Sequence, residues 1–366
     1  MLRKPFFILS FVLLAVLGRA AGYQHPGGMH PAAQITFVKK MIKTRTAPYV
    51  QAYQQLLAKA DSAFDHEKHV LADFNVPGYY TDPEGHRKNS AGFQSDAFDA
   101  YACALAWQLS GKEKYARGAL GFMMAWANEN SGYSDFDGPL VMAYSGTAMV
   151  MAGELLYHYW GWSEKERQQF FSWVENVYLK ACKEIRTRKN NWADWGRLGS
   201  VLCAHLLDNP QEMAENTRLI KSDLFHKIAP DGDMPEETRR EKNGIWYTYF
   251  SLAPITAACQ VIYQSGGENI FEVTEDGKSI KKALDYLFYY NQHPDEWSWF
   301  KDPRPGSPDS WPGNLFEAMG AIYGDSRYSA YSQPARPICY DKHHFAWSFP
   351  TLMRPFLTFE GREKQK

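Results

Sequence analysis

The chain has no excess of either charge: 40 basic residues stand against 41 acidic ones. Proteins that hold nucleic acid through bulk electrostatics need a surplus of Lys and Arg to displace counterions, so nucleic acid is not the expected partner. A polyanion needs only a local basic patch, and that remains open. Cysteine is scarce. Cys103, Cys182, Cys203, Cys259 and Cys339 are odd in number, widely spaced and never arranged as C-x-x-C. This argues against a disulfide framework and a cysteine-built zinc site. No G-x-S-x-G, H-E-x-x-H, P-loop or EF-hand pattern occurs, so nucleophile-elbow hydrolysis, zinc proteolysis and nucleotide use have no local support. Long alternating runs of Val, Ile and Thr are missing too, which excludes an extended sheet and a separate β domain.

Long apolar runs are limited to one, Phe6 to Leu17, preceded by Arg3 and Lys4 and followed by Gly18-Arg19-Ala20. A positive start, a short apolar stretch and small residues at −3 and −1 read as an export signal over residues 1–20. The run is too short to span a membrane comfortably. The expectation is export to the periplasm or the exterior, no membrane association after cleavage, and one domain over residues 21–366.

Aromatics, by contrast, are abundant: 12 Trp, 22 Tyr and 22 Phe make up 15% of the chain. Most must fill a core, but aromatic faces also stack on sugar rings. The apolar spacing predicts helices over 35–43, 49–64, 94–110, 114–128, 140–160, 164–183, 192–207, 211–225, 244–263, 280–291 and 315–323. Ser163 with Glu166 forms a capping box at one start. Pro-rich 302–309 is expected to be a surface loop. With no fixed-period repeat, antiparallel helix pairs around one core suggest an all-α, (α/α) toroid or barrel.

Two polar elements interrupt this apolar pattern. One is Lys189-Asn190-Asn191-Trp192-Ala193-Asp194-Trp195; the other runs Arg239-Arg240-Glu241-Lys242-Asn243-Gly244-Ile245-Trp246-Tyr247. A seven-residue spacing puts Arg240 and Tyr247 on one face if that segment is helical. Amide donors, a cation and a phenol can neutralise a carboxylate, stabilise an enolate and move a proton, a set suited to acidic sugars.

Several pieces together resemble the alginate-lyase-like polysaccharide lyases. They are Asp99-Ala100-Tyr101-Ala102-Cys103-Ala104-Leu105-Ala106-Trp107, Ser110-Gly111-Lys112-Glu113-Lys114-Tyr115-Ala116, Met124-Ala125-Trp126-Ala127 and Gly153-Glu154-Leu155-Leu156. The Asn190-Asn191 pair and the Arg240 to Tyr247 stretch complete the set, which runs from about residue 50 to about residue 300. The resemblance implies an (α/α) toroid that cleaves uronic-acid polymers by β-elimination. It assigns Asn191 to neutralising the carboxylate, Arg240 to stabilising charge and Tyr247 to acid/base work. One departure stands out: Trp192 occupies the position where the better-known members carry His, and an indole accepts no proton.

Elimination removes the C5 proton beside the uronate carboxylate and expels the 4-linked oxygen. Preorganised Asn and Arg donors offset the charge of the enolate. A phenol near a cation is expected to ionise more readily, take the proton and return one to O4. One residue does both only where proton and leaving group share a face, as in β-mannuronate and β-glucuronate, so syn elimination fits this chain best. His86, in the polar stretch Gly85-His86-Arg87-Lys88-Asn89, is the candidate for the missing imidazole and is expected on a loop. His205, His343 and His344 are weaker candidates. Asn190, Trp192, Trp195, Arg239 and Trp246 are expected to bind substrate. The proposed chemistry requires no metal and no cofactor, and a monomer suffices. Two rivals stay open: a hydrolase using paired carboxylates from Asp96, Asp99, Asp135, Asp137 and Asp194, and a non-catalytic glycan-binding protein.

Overall fold

Two kinds of helix build the molecule. Gly138–Leu155 and Asn191–Leu206 are buried at every position, and Gly244–Gln264 at nearly every one. Such helices have no solvent face and must be enclosed by others. Glu113–Glu129, Pro210–Lys227 and Ile280–Gln292 bury a single stripe each. The computed structural model describes residues 22–358; the export signal expected at 1–20 lies outside them.

In chain order the helices are α1 (Ala32–Lys43), α2 (Tyr49–Ser62), α3 (Pro83–Ser110), α4 (Glu113–Glu129) and α5 (Gly138–Leu155). Next come α6 (Glu164–Trp173), α7 (Leu179–Ile185), α8 (Asn191–Leu206), α9 (Pro210–Lys227) and α10 (Pro235–Thr238). The last are α11 (Gly244–Gln264), α12 (Ile280–Gln292), α13 (Gly313–Tyr323) and α14 (Ser326–Ser332). Helices take 64% of the described residues and strands 3%, so the expected all-α toroid without a β domain is what forms. Helices α3, α5, α8 and α11 pack in succession on the inside, and α4, α7, α9 and α12 return on the outside. Helix α13 joins the inner layer where Asn314 Nδ2 donates to Tyr249 Oη at 3.0 Å. The C-terminal segment then threads between inner helices. Ser145 and Thr147 of α5 donate to the carbonyls of His343 and Phe345, and Trp347 Nε1 donates to Thr256 of α11 at 3.0 Å.

Three elements differ from their expected bounds, each for a local reason. Helix α3 starts at Pro83, not near 94, because Asp82 caps it by accepting from Gly85 N at 2.9 Å; its polar first turns hide the apolar period. Helix α5 stops at Leu155, five residues early, with Trp160 left exposed in the following turn. The stretch from Glu164 runs on to Ile185 but contains a π turn, Val174–Tyr178, between α6 and α7. That turn seats Tyr178 between α5 and α8, where its hydroxyl donates to Ala143 O at 2.8 Å. Gly146 and Gly199 make the space: a Cβ would fall 2.4 Å from the Tyr178 ring and 2.6 Å from its oxygen, respectively. A short parallel pair, β1 (Asp73–Asn75) with β2 (Gly132–Ser134), ties the chain before α3 to the chain before α5. The segment 302–309 is non-helical, as its prolines require.

Candidate active site

The N-terminal ends of α8 and α11, the loop before α3 and the segment around His343 come together at one end of the inner layer. Tyr247 stands in the first turn of α11, and the Arg240 guanidinium lies 4.4 Å from its ring centre. The shared helical register expected for this pair does not exist. Helix α10 ends at Thr238, Glu241 adopts a positive φ of 52°, and α11 begins only at Gly244. Arg240 therefore reaches Tyr247 by folding back through a turn. Arg239 points away, exposed, over the Trp299 ring at 5.0 Å.

The electrostatics of Tyr247 also reverse the expectation. Burial pushes its phenol pKa upward, and the hydrogen bond to Tyr80 pushes the same way, with Arg240 pulling down less strongly. The two phenol oxygens are 2.7 Å apart, and Tyr80 itself is exposed. Tyr247 is thus a protonated phenol clamped between a cation and a second phenol, with no ready phenolate in the free protein.

Asn190 serves α8 as its cap, its side chain accepting from Trp192 N at 3.3 Å. Asn191 is 1% exposed, and its backbone N and Nδ2 donate to the two oxygens of Glu237 at 2.6 and 2.7 Å. One Nδ2 hydrogen is thereby committed, so the amide has one left for a ligand. Burial raises the Glu237 carboxyl to about 7, while Lys227 and the Asn191 donors pull it down.

Of the three tryptophans expected to stack on sugars, Trp195 is fully buried against Tyr144, Phe250 and His344; it offers no face to a ligand and backs the site instead. Trp192 packs edge-on to exposed Phe136 and carries Arg188 3.7 Å above its ring. Trp246 is half-buried, stacked on Phe250 with centroids 4.6 Å apart.

His86 is not on a loop; it occupies the first turn of α3. Its Nδ1 lies 3.1 Å from both Pro77 O and Asp137 Oδ2. Those acceptors place the proton on Nδ1, so the neutral ring keeps an accepting lone pair on Nε2. Asp137 is held in turn by Tyr79 N at 2.7 Å. His343, given little weight from sequence, sits among Tyr144, Trp246 and Tyr340. Burial lowers its pKa to about 4, and His86 adds to that effect. Its only signal in sequence is the aromatic run Phe345 to Phe349, which marks a buried segment. Tyr80 and Glu237 carried no signal, since loop and chain-distant partners leave no spacing.

The carboxylates proposed for a hydrolase are mostly engaged elsewhere. Asp194 is buried with Lys227 and accepts from Ser251 Oγ at 2.5 Å. Asp96 accepts from Trp126 Nε1 and from His69, and Asp99 pairs with His66 at 2.7 Å. Asp137 orients His86, and Asp135 caps its neighbour Phe136 N. These partners leave no support for a carboxylate pair at Tyr247. His205, at the far end of α8, is about 21 Å along the axis from Asn191 at 1.5 Å per residue.

The fold recurs in solved structures. An alginate lyase from Bacteroides ovatus superposes with a TM-score of 0.71 at 18% identity, over 91% of this chain and 100% of that one. Alginate lyase A1-III from Sphingomonas species A1 gives 0.71 at 14%, over 92% and 98%. A tyrosine-to-phenylalanine variant of A1-III, complexed with tetrasaccharide, gives 0.72 at 13%, over 92% and 98%. Among curated proteins, none matches this sequence. The sequence profile of the alginate lyase family matches residues 39–297, which holds both polar elements and the inner helices α3, α5, α8 and α11; the chain belongs to the alginate lyase family.

Proposed function

We propose that this polysaccharide lyase cleaves β-1,4-linked uronans, either mannuronate-rich alginate or glucuronan, by syn β-elimination with Tyr247 as the residue that moves the proton. The observation that carries the reading is the Tyr247 phenol held between Arg240 and Tyr80. A uronate carboxylate entering beside Arg240 gains a planar, permanently charged partner. The free hydrogen on Asn191 Nδ2 supplies a second donor to the charge that builds up as C5 loses its proton.

Tyr247 must first lose its own proton to solvent before it can act as base. Displacement of Tyr80 by the sugar removes one of the two influences that raise its pKa, and Arg240 then favours the phenolate. After taking the C5 proton, Tyr247 returns it to the departing O4 on the same face, leaving a 4,5-unsaturated uronate. His86, with Nδ1 tied to Asp137, offers Nε2 as an additional proton or hydrogen-bond acceptor. Trp246 is the proposed stacking surface; Trp192, buried beneath the Arg188 guanidinium, holds that cation for the polyanion, and Arg239 adds further positive charge. Export through the N-terminal signal would bring the enzyme to its polymer. Among the described residues, no helix is long and apolar enough to cross a membrane.

Absorbance near 235 nm on polymannuronate, polyguluronate and glucuronan tests the proposal. A rise on the first or third is expected; reducing ends without the rise would turn the case to hydrolysis. A purely glycan-binding role would keep affinity and show neither signal.

A further inference from the structure

At the opposite end of the inner layer, the segment before α1 is fastened by an unusual polar cluster. His25 Nδ1 lies 2.8 and 2.9 Å from the two oxygens of Glu154 at the end of α5. His205 Nε2, near the end of α8, lies 3.5 Å from Glu154 Oε1. The three donor atoms fall within 4.8 Å of one another, and all three side chains are at least nine-tenths buried.

The nitrogens that face away decide what the cluster can hold. Ser265 Oγ donates to Val261 O at 2.6 Å, so it accepts from His205 Nδ1 at 2.7 Å. A neutral His205 then aims the Nε2 lone pair at Glu154 Oε1 and at Gln24 O, 3.3 Å away. Glu154 Oε1 also accepts from Gly27 N at 2.8 Å, but the His205 Nε2 lone pair, Glu154 Oε1 and Gln24 O still face one another with no proton between them, a set that a cation satisfies. His25 repeats the arrangement: its outward Nε2 has no hydrogen-bond partner but stands 3.5 Å from the Asp208 carboxylate. Each imidazole thus turns one nitrogen inward and has an acceptor behind the other, as metal-bound histidines do. Tyr157 stacks on His25 at 3.7 Å and fixes its plane. Gly27 and Gly28 let the backbone pass His205, since a Cβ on Gly27 would meet Nε2 at 2.5 Å. A small cavity adjoins Glu154 and His205.

We propose that His25, Glu154 and His205 bind one divalent transition-metal ion, of the zinc type, which clamps the N-terminal segment to the ends of α5 and α8. Two imidazoles and a carboxylate suit zinc, whose ligand distances of about 2.0–2.2 Å place donor atoms about 3.3 Å apart. The Gln24 carbonyl or a water completes the shell. The scarcity of cysteine thus argues only against a thiolate site. With the candidate active site at the other end of α8, the ion is structural.

The test uses untagged protein from which metal has been stripped with a chelator and then removed. Zinc titration should reach one equivalent and raise Tm by about 3–6 °C. Cobalt(II) should give the visible bands of a four- or five-coordinate site. Both responses should vanish in Glu154→Gln and His205→Gln, with the initial lyase rate at 25 °C as the check on folding. Wild-type protein that takes up less than a tenth of an equivalent, with Tm unmoved by zinc, would overturn the proposal and leave a protonated His205 in the ion's place. So would one equivalent that persists in both variants.

Discussion

Glu237→Gln probes the carboxyl that holds Asn191. Glu237 is fully buried, and its pKa rises from 4.5 to about 7 because desolvation outweighs Lys227 and the two Asn191 donors. A carboxyl whose folded pKa is raised binds more protons in the folded state than in the unfolded state. Stability is therefore greatest below the unfolded value and falls as pH climbs through the folded one. With these two pKa values, the wild-type protein loses on the order of 2–3 kcal/mol between pH 5 and pH 8 through this one residue. Gln does not titrate. It also misplaces one donor against Asn191, but that cost is the same at every pH, so the difference between the two proteins carries the information. Urea unfolding of both at pH 5 and pH 8 measures it. The expected result is a wild-type advantage that shrinks by about 2–3 kcal/mol at the higher pH. An advantage that stays constant or grows would refute the reasoning and show Glu237 ionised throughout.

Tyr80→Phe removes the hydrogen bond that helps keep Tyr247 protonated; the rising limb of the kcat/KM pH profile should move to lower pH, whereas an unmoved limb would separate Tyr80 from the proton transfer. His86→Gln should lower kcat/KM by about 10²-fold if its Nε2 shares in proton transfer, measured at 235 nm; an unchanged rate would reduce His86 to holding the loop before α3. Lys227→Met removes the nearer of two cations from the buried Asp194 carboxylate, leaving Arg197 at 3.8 Å and the Ser251 donor, and should cost about 1–3 kcal/mol in urea unfolding. The double variant with Asp194→Asn should recover much of that loss; no recovery would mean the two residues act separately.

Much of the fold could be read from sequence because the inner helices α5 and α11 are apolar on nearly every side and the outer ones carry one stripe, a pattern visible without partners. The breaks were harder. The early start of α3 depends on Asp82 as a cap ahead of a polar first turn, and the π turn before α7 depends on Tyr178 finding room over Gly146 and Gly199. For the site, the sequence named Asn191, Arg240, Tyr247 and His86, and the structure brings Arg240 onto Tyr247 by a turn where a continuous helix was expected. Trp195 shows the limit from the other side: a residue beside the motif can point into the core, and only packing against Tyr144 and Phe250 reveals it. Tyr80 and Glu237 could not be found, and His343 carried little weight, because they come from distant segments and act through contacts that no local spacing encodes.

Tyr247→Phe is the variant on which the account stands. Phenylalanine keeps the ring against Arg240 and removes only the proton-moving oxygen. The rise at 235 nm on polymannuronate or glucuronan should fall by at least about 10³-fold with polymer affinity retained. A variant that eliminates at a rate near wild type would contradict Tyr247 as the acid/base and shift the chemistry to another group in the site.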